Sequence, residues 1–133
     1  MDWSKYPNFE PHEFECRCGC KTNNVSEMFL DLLQKARLIA GISFRITSGC
    51  RCPKHNATVS KNQQSDHVAI PDDMFCFGVD IQCDNDRNRD LIIDASYRVG
   101  IDRRGVYPDR NIVHLGIGKD KGGRNDSRVF WRK

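Results

Sequence analysis

Apolar positions between Val25 and Ala40 recur at steps of three and four. Val25, Phe29, Leu32, Leu33, Ala36, Ile39 and Ala40 fall on one stripe, which predicts an amphipathic helix. Asn24 or Ser26 can cap its start and Gly41 can end it. Ile42, Phe44 and Ile46 then alternate with Ser43, Arg45 and Thr47, the period of a half-buried strand. After the turn Ser48-Gly49-Cys50-Arg51-Cys52-Pro53 a short helix is expected to start near Pro53, since proline suits the first helical position. Ser60 to Asp73 is polar and reads as a long loop of the kind that more often carries function than not. A second strand runs from Cys76 to Gln82, with Phe77, Val79 and Ile81 on one face and Cys76, Gly78, Asp80 and Gln82 on the other. Asp86 to Val99 forms a second helix, with Leu91, Ile92, Ala95 and Val99 toward the core and Gly100 as its stop. In a third strand, Ile112 to Ile117, the residues Val113, Leu115 and Ile117 take the core face, and Ile112, His114 and Gly116 the opposite one. Beyond Gly118 the chain is charged and glycine-rich and closes on Val129-Phe130-Trp131.

Helices and strands in irregular order predict an α+β fold with a small central antiparallel sheet flanked by helices. A length of 133 residues without repeats or linkers fits a single domain over residues 1–133. With 38% hydrophobic and 29% charged residues the chain lies outside the disordered range. No apolar run approaches the ~20 residues of a membrane span, so no membrane partner is expected. The net charge of +3, from 21 basic and 18 acidic residues, is dispersed rather than gathered into a stripe, which argues against nucleic-acid binding. The start Met1-Asp2-Trp3-Ser4-Lys5 lacks a basic region followed by an apolar one, so synthesis without a signal peptide is the expectation.

Two polar residues sit on the non-core face of predicted strands: Asp80 has opposite parity to Val79 and Ile81, and His114 to Val113 and Leu115. His67 lies on the polar loop before the Asp80 strand, two residues after Ser65. Two imidazoles and a carboxylate are the ligand set of an open catalytic zinc site. Such an ion lowers the pKa of water to ~7 and polarises a carbonyl, as amide hydrolysis requires. The spacing is not the compact HExxH kind, and pattern alone leaves open that the three are unrelated surface residues.

The order Phe9-(x)4-Phe14-x-Cys16-x-Cys18-Gly19-Cys20, Arg45-Ile46-Thr47-Ser48-Gly49-Cys50-Arg51-Cys52-Pro53-x-His55-Asn56, Ser65-x-His67, Gly78-Val79-Asp80-Ile81 and Val113-His114 resembles the LAS-type zinc peptidases. These are the D-alanyl-D-alanine carboxypeptidases and L-alanyl-D-glutamate endopeptidases of bacteria and phages, to which the hedgehog domain is similar in fold. The resemblance runs from about Phe9 to His114. It implies zinc (Zn2+) held by His67, Asp80 and His114, with Arg51 binding substrate and stabilising the oxyanion. Ser65 would orient the loop or touch substrate.

The chain departs from the pattern in three places. Twelve residues separate His67 from Asp80, more than the family places there, so Ile70-Pro71-Asp72-Asp73-Met74-Phe75 must bulge outward; Asp72 and Asp73 are alternative carboxylates, and Asp80 is preferred. The family's Gly-x-Ala-x-Asp is Cys76-Phe77-Gly78-Val79-Asp80, a small-residue swap that would narrow the site. Finally, the position three before the last His, where many members carry a catalytic acid, is Asn111, and the alternative His-x-Asp ends in Gly116. An amide cannot accept the proton of the attacking water. Asp109 becomes the candidate base if its loop curls back.

Seven cysteines are an odd number, so at least one is outside any intramolecular disulfide. Cys16, Cys18 and Cys20 alternate, and an extended chain places them on one side. With Cys50 and Cys52 they form disulfides, a small structural metal cluster, or plain thiols. Trp3, Tyr6 and Trp131 read as packing residues at the termini. The resemblance implies a monomer that hydrolyses an amide in the peptide stem of peptidoglycan, as a carboxypeptidase or an endopeptidase. It also implies a phage lysin or virion component that reaches the wall after lysis or injection. Replacement of the usual base favours one rival, a non-catalytic wall-binding or structural module on the same scaffold. A cysteine-rich zinc protein that binds nucleic acid is the other rival, and the modest charge argues against it.

Overall fold

The helix expected from Val25 forms as α1 (Glu27–Ala40). Its cap is Ser26, whose hydroxyl accepts from Phe29 N–H at 3.2 Å, and it ends at Gly41. Asn24 does something else: its side-chain amide donates to Ile70 O and Met74 O. There follow β1 (Ile46–Ser48), α2 (Pro53–Val59), β2 (Gly78–Gln82), α3 (Asp86–Val99), β3 (Arg103–Tyr107), β4 (Ile112–Gly116) and β5 (Val129–Arg132). These elements come from a computed structural model that describes residues 1–118 and 128–133; the charged, glycine-rich stretch expected after Gly118 lies largely outside the described residues.

The strands form one sheet in the order β1-β2-β4-β3-β5. All neighbours are antiparallel except β3 and β5, which run parallel, so the expected α+β fold is present with a mixed edge. The strand expected from Ile42 is shorter than its alternation suggested: only Ile46–Ser48 pairs with β2, though Phe44 and Ile46 are both buried.

Val79, Ile81, Val113 and Leu115 project from one sheet face into a core shared with Phe29, Leu30 and Leu33 of α1 and Ile92 and Ala95 of α3. Each fully buried Leu, Ile or Phe side chain there contributes roughly 1.5–3 kcal/mol by leaving water. With this face taken by α1 and α3, the opposite face of β2 and β4 carries Asp80, Gln82 and His114 beside Gly78, Ile112 and Gly116. Among the described residues no helix is long and apolar enough to cross a membrane.

Candidate metal centre

Asp80 and His114 meet because the β2–β4 ladder pairs them as direct cross-strand neighbours on the face away from the core. His67 reaches them from the polar loop, which is stitched down on both sides. Arg51 N–H donates to His67 O at 2.7 Å, Ala69 N–H to Arg51 O at 2.8 Å, and Phe77 N–H to Asp66 O at 2.8 Å. The Ser65 hydroxyl accepts from His67 N–H at 3.3 Å within this loop. One ligand atom from each of His67, Asp80 and His114 lies within 4.8 Å of the others. His67 Nε2 stands 3.2 Å and His114 Nδ1 3.0 Å from Asp80 Oδ1. A tetrahedral zinc with bonds of about 2.0–2.1 Å has ligand–ligand edges of about 3.3 Å, so these spacings fit such an ion.

The outer partners fix which nitrogen carries a proton. His67 Nδ1 is 2.7 Å from Gly49 O, which can only accept, so Nδ1 bears the hydrogen. His114 Nε2 is 2.9 Å from Asp66 Oδ2, an oxygen that also accepts from Arg103 Nε at 3.2 Å. This holds Asp66 as an acceptor and places the hydrogen on Nε2. In neutral rings the remaining lone pairs, His67 Nε2 and His114 Nδ1, both confront Asp80 Oδ1. Three acceptors facing one another in a buried place require a cation or an additional proton between them. Without metal, a proton fills that role. Burial opposes charge on His114, but its hydrogen bonds to Asp66 and Asp80 outweigh burial and raise its pKa to about 9. For His67 burial dominates over the attraction of Asp80 and pushes the pKa down. Burial also works against ionised Asp80, yet the neighbouring imidazoles of His67 and His114 hold it well below the usual carboxylate range.

The triad forms part of the wall of a cleft of about 770 Å³, within the usual range for ligand sites. Arg51 lines this cleft beside it. Its Nε is buried and has no hydrogen-bond partner among the described residues. Burial lowers the Arg51 pKa, partly offset by Asp80. Ser65 lines the cleft as well.

Asp109 is placed differently from the expectation. It sits exposed on the 3-10 turn Pro108–Arg110 and is not among the residues lining the cleft. The two positions at which an acid was sought have structural duties. Asn111 holds a left-handed backbone (φ 54°) that asparagine tolerates well, and its carbonyl accepts from Cys83 N–H at 2.7 Å. At Gly116 a Cβ would lie 2.5 Å from Asp66 Oδ2, and at Gly78 one would lie 2.6 Å from Asp66 Cβ. Far from narrowing the site, Gly78 clears room for Asp66. The additional residues before Asp80 do bulge outward: Ile70 and Met74 pair through two 2.8 Å backbone bonds, and Asp72 and Asp73 are exposed on that turn.

Sequence reasoning missed Asp66, Arg103 and the true place of Trp131. Asp66 is the middle residue of Ser65-x-His67, and a carboxylate next to a ligand histidine was the available signal. Trp131 is more than terminal packing. Its indole N–H donates to Tyr107 Oη at 2.7 Å, its ring lies 5.5 Å from that of His114, and it lines the cleft.

A family model described as Peptidase M15 matches residues 7–116. No curated protein and no solved structure matches the chain.

Proposed function

Because the chain belongs to the Peptidase M15 family, we propose that it is a zinc peptidase cleaving an amide bond in the peptide stem of peptidoglycan. The observation that carries this reading is the convergence of the His67, Asp80 and His114 lone pairs at the wall of a cleft. Zinc bound there would supply Lewis acidity toward water and the scissile carbonyl. The protein's own residues prepare the rest. Gly49 O and Asp66 hold the two imidazoles in the ligating tautomer. Arg51, on the cleft wall beside the triad, donates to the oxyanion that forms as water adds to the carbonyl. Arg17, Arg103, Arg110 and Lys133 also line the cleft, a cationic wall suited to the carboxylates of a stem peptide. For proton transfer the wall offers His55, the cleft imidazole outside the triad, in place of Asp109.

The test is the release of new amino groups from purified cell walls by zinc-loaded protein. Release that disappears with bound zinc in His67→Ala and Asp80→Ala supports the reading. The exposed position of Asp109 and the structural duties of Asn111 and Gly116 favour one alternative, a wall-binding module that holds the ion for shape. Wall binding with zinc retained and no release would establish that alternative. Which stem bond is cut, at a free carboxyl end or internally, is read from the products of defined stem peptides.

A further inference from the structure

Away from the triad, four cysteines gather at one point. Cys16, Cys18, Cys20 and Cys52 each offer a sulfur, and the four sulfurs lie within 4.8 Å of one another. Cys50, grouped with them by sequence position, is not part of this set; its Sγ is buried 2.7 Å from that of Cys76.

The alternation of Cys16, Cys18 and Cys20 does not work as an extended strand. At ~3.3 Å per residue an extended chain would put Cys16 and Cys20 about 13 Å apart, too far to share one partner. Instead residues 17–20 form turns, with Gly19 at φ 100°, a value an L side chain rarely adopts. Cys16 N–H closes the loop on Thr22 O at 2.8 Å. The chain therefore wraps its three sulfurs around a centre, and Cys52 completes the set from the residue before α2.

The spacing separates the possible linkages. Cys16 and Cys18 sulfurs are 3.5 Å apart, and those of Cys18 and Cys52 are 3.7 Å apart. A disulfide needs about 2.05 Å. Four thiolates around one zinc at about 2.3 Å define tetrahedral edges of about 3.8 Å. The sulfurs also receive the backbone and hydroxyl contacts that metal-bound thiolates use. Cys52 N–H points at Cys16 Sγ at 3.4 Å, His55 N–H at Cys52 Sγ at 3.3 Å, and Thr22 Oγ1 lies 3.2 Å from Cys20 Sγ. We propose that Cys16, Cys18, Cys20 and Cys52 hold a second, structural zinc ion in a closed four-thiolate site.

This site ties the loop after the Pro11–Phe14 turn to the segment that carries Arg51. Two cleft-lining arginines are chain neighbours of its ligands: Arg17 stands between Cys16 and Cys18, and Arg51 directly precedes Cys52. Arg17 is held further by Nη2 bonds to Glu13 O at 2.9 Å and Ile46 O at 3.3 Å. The thiolate zinc thus positions cationic groups of the cleft while standing apart from the His67–Asp80–His114 centre.

The experiment uses the full chain, purified under reducing conditions from zinc-supplemented medium, with metal content measured against protein mass. Two equivalents are expected in the unmutated protein. One is expected in His67→Ala, from the thiolate site, and one in Cys20→Ser, from the triad. Cobalt replacement decides the matter without relying on any cysteine variant: thiolate ligation gives an intense sulfur-to-cobalt charge-transfer band, and that band must persist in His67→Ala. Cys18 and Cys20 are exposed, so their serine variants remove no core packing. The proposal is overturned by a single equivalent that vanishes in His67→Ala, by cobalt protein without the charge-transfer band, or by a mass showing these cysteines bridged in the reduced preparation. Failure of the triad to bind zinc would leave the charge-transfer band in place and count against the peptidase reading alone.

Discussion

Asp66 offers the sharpest perturbation of the triad, because it touches His114 without being a candidate ligand. Its carboxylate is 3% exposed and accepts from His114 Nε2 at 2.9 Å and from Arg103 Nε at 3.2 Å. A hydrogen bond to a charged group contributes ~1.5–3 kcal/mol, about twice the neutral equivalent. Asp66→Asn keeps an acceptor in place and loses the charge, so the expected cost is ~1 kcal/mol, or roughly a fivefold loss of zinc affinity. Asp66→Leu removes the acceptor and leaves His114 Nε2–H without it. The tautomer that directs Nδ1 toward the ion is then no longer favoured, and the loss should approach ~100-fold, the upper end for partners of metal-ligating histidines. Zinc affinity is measured by competition with a chromophoric chelator at constant pH, with circular dichroism to confirm the fold. The thiolate site is followed separately through cobalt charge transfer. Equal affinities in the unmutated protein and the Asn and Leu variants would refute the reasoning, as would a larger loss in Asn than in Leu.

Arg51→Lys should lower kcat/KM on cell-wall substrate on the order of a hundredfold while zinc content stays unchanged, since the role proposed for the guanidinium is on the oxyanion and not on the ion; a rate within a factor of two of the unmutated protein would exclude that role. Gly116→Ala places a methyl group 2.5 Å from Asp66 Oδ2, so thermal unfolding should show a loss of ~1–3 kcal/mol from overpacking, together with weakened zinc binding. For the metal-free protein, the raised His114 pKa of about 9 stabilises the fold fully below the ordinary value near 6.5. That contribution is lost as pH rises through about 9, up to ~3 kcal/mol in all, and denaturant titrations at pH 6.5 and 9.5 read it directly. Zinc must displace the same proton, so apparent affinity should rise about tenfold per pH unit up to pH ~9 and then level, as chelator competition across that range would show.

The candidate ligands were legible because a strand with one face in the core advertises any polar residue at the other parity. Val79 and Ile81 enclose Asp80, and Val113 and Leu115 enclose His114, so two members of the triad stand out by period alone. Their pairing was not legible. β2 and β4 are neighbours in the sheet but are separated in the chain by α3 and β3, and register across such a gap depends on packing that no local pattern encodes. β3 was missed because a single large apolar residue, Val106, marks its core face. The other core-side position, Arg104, lays its guanidinium over the Tyr97 ring of α3, 5.2 Å from its centroid, and so covers apolar surface with a residue that reads as polar. Parallel pairing of β5 with β3 lay equally beyond reach of the pattern.

Asp66 stayed hidden for a related reason. A carboxylate between Ser65 and His67 gains meaning only where something clears space for it, and the clearance comes from Gly78 on β2 and Gly116 on β4. Gly116 in the sequence suggested a missing acid, whereas in the fold its lack of a side chain is what admits one from the loop. An acidic residue at position 116 would compete with Asp66 for the same volume. The carboxylate absent from the strand and the carboxylate present beside His67 are therefore linked by one packing constraint. By the same logic Asn111 serves a left-handed turn. On the peptidase reading proposed above, the proton acceptor is sought on the loop and α2 side of the cleft, where His55 stands.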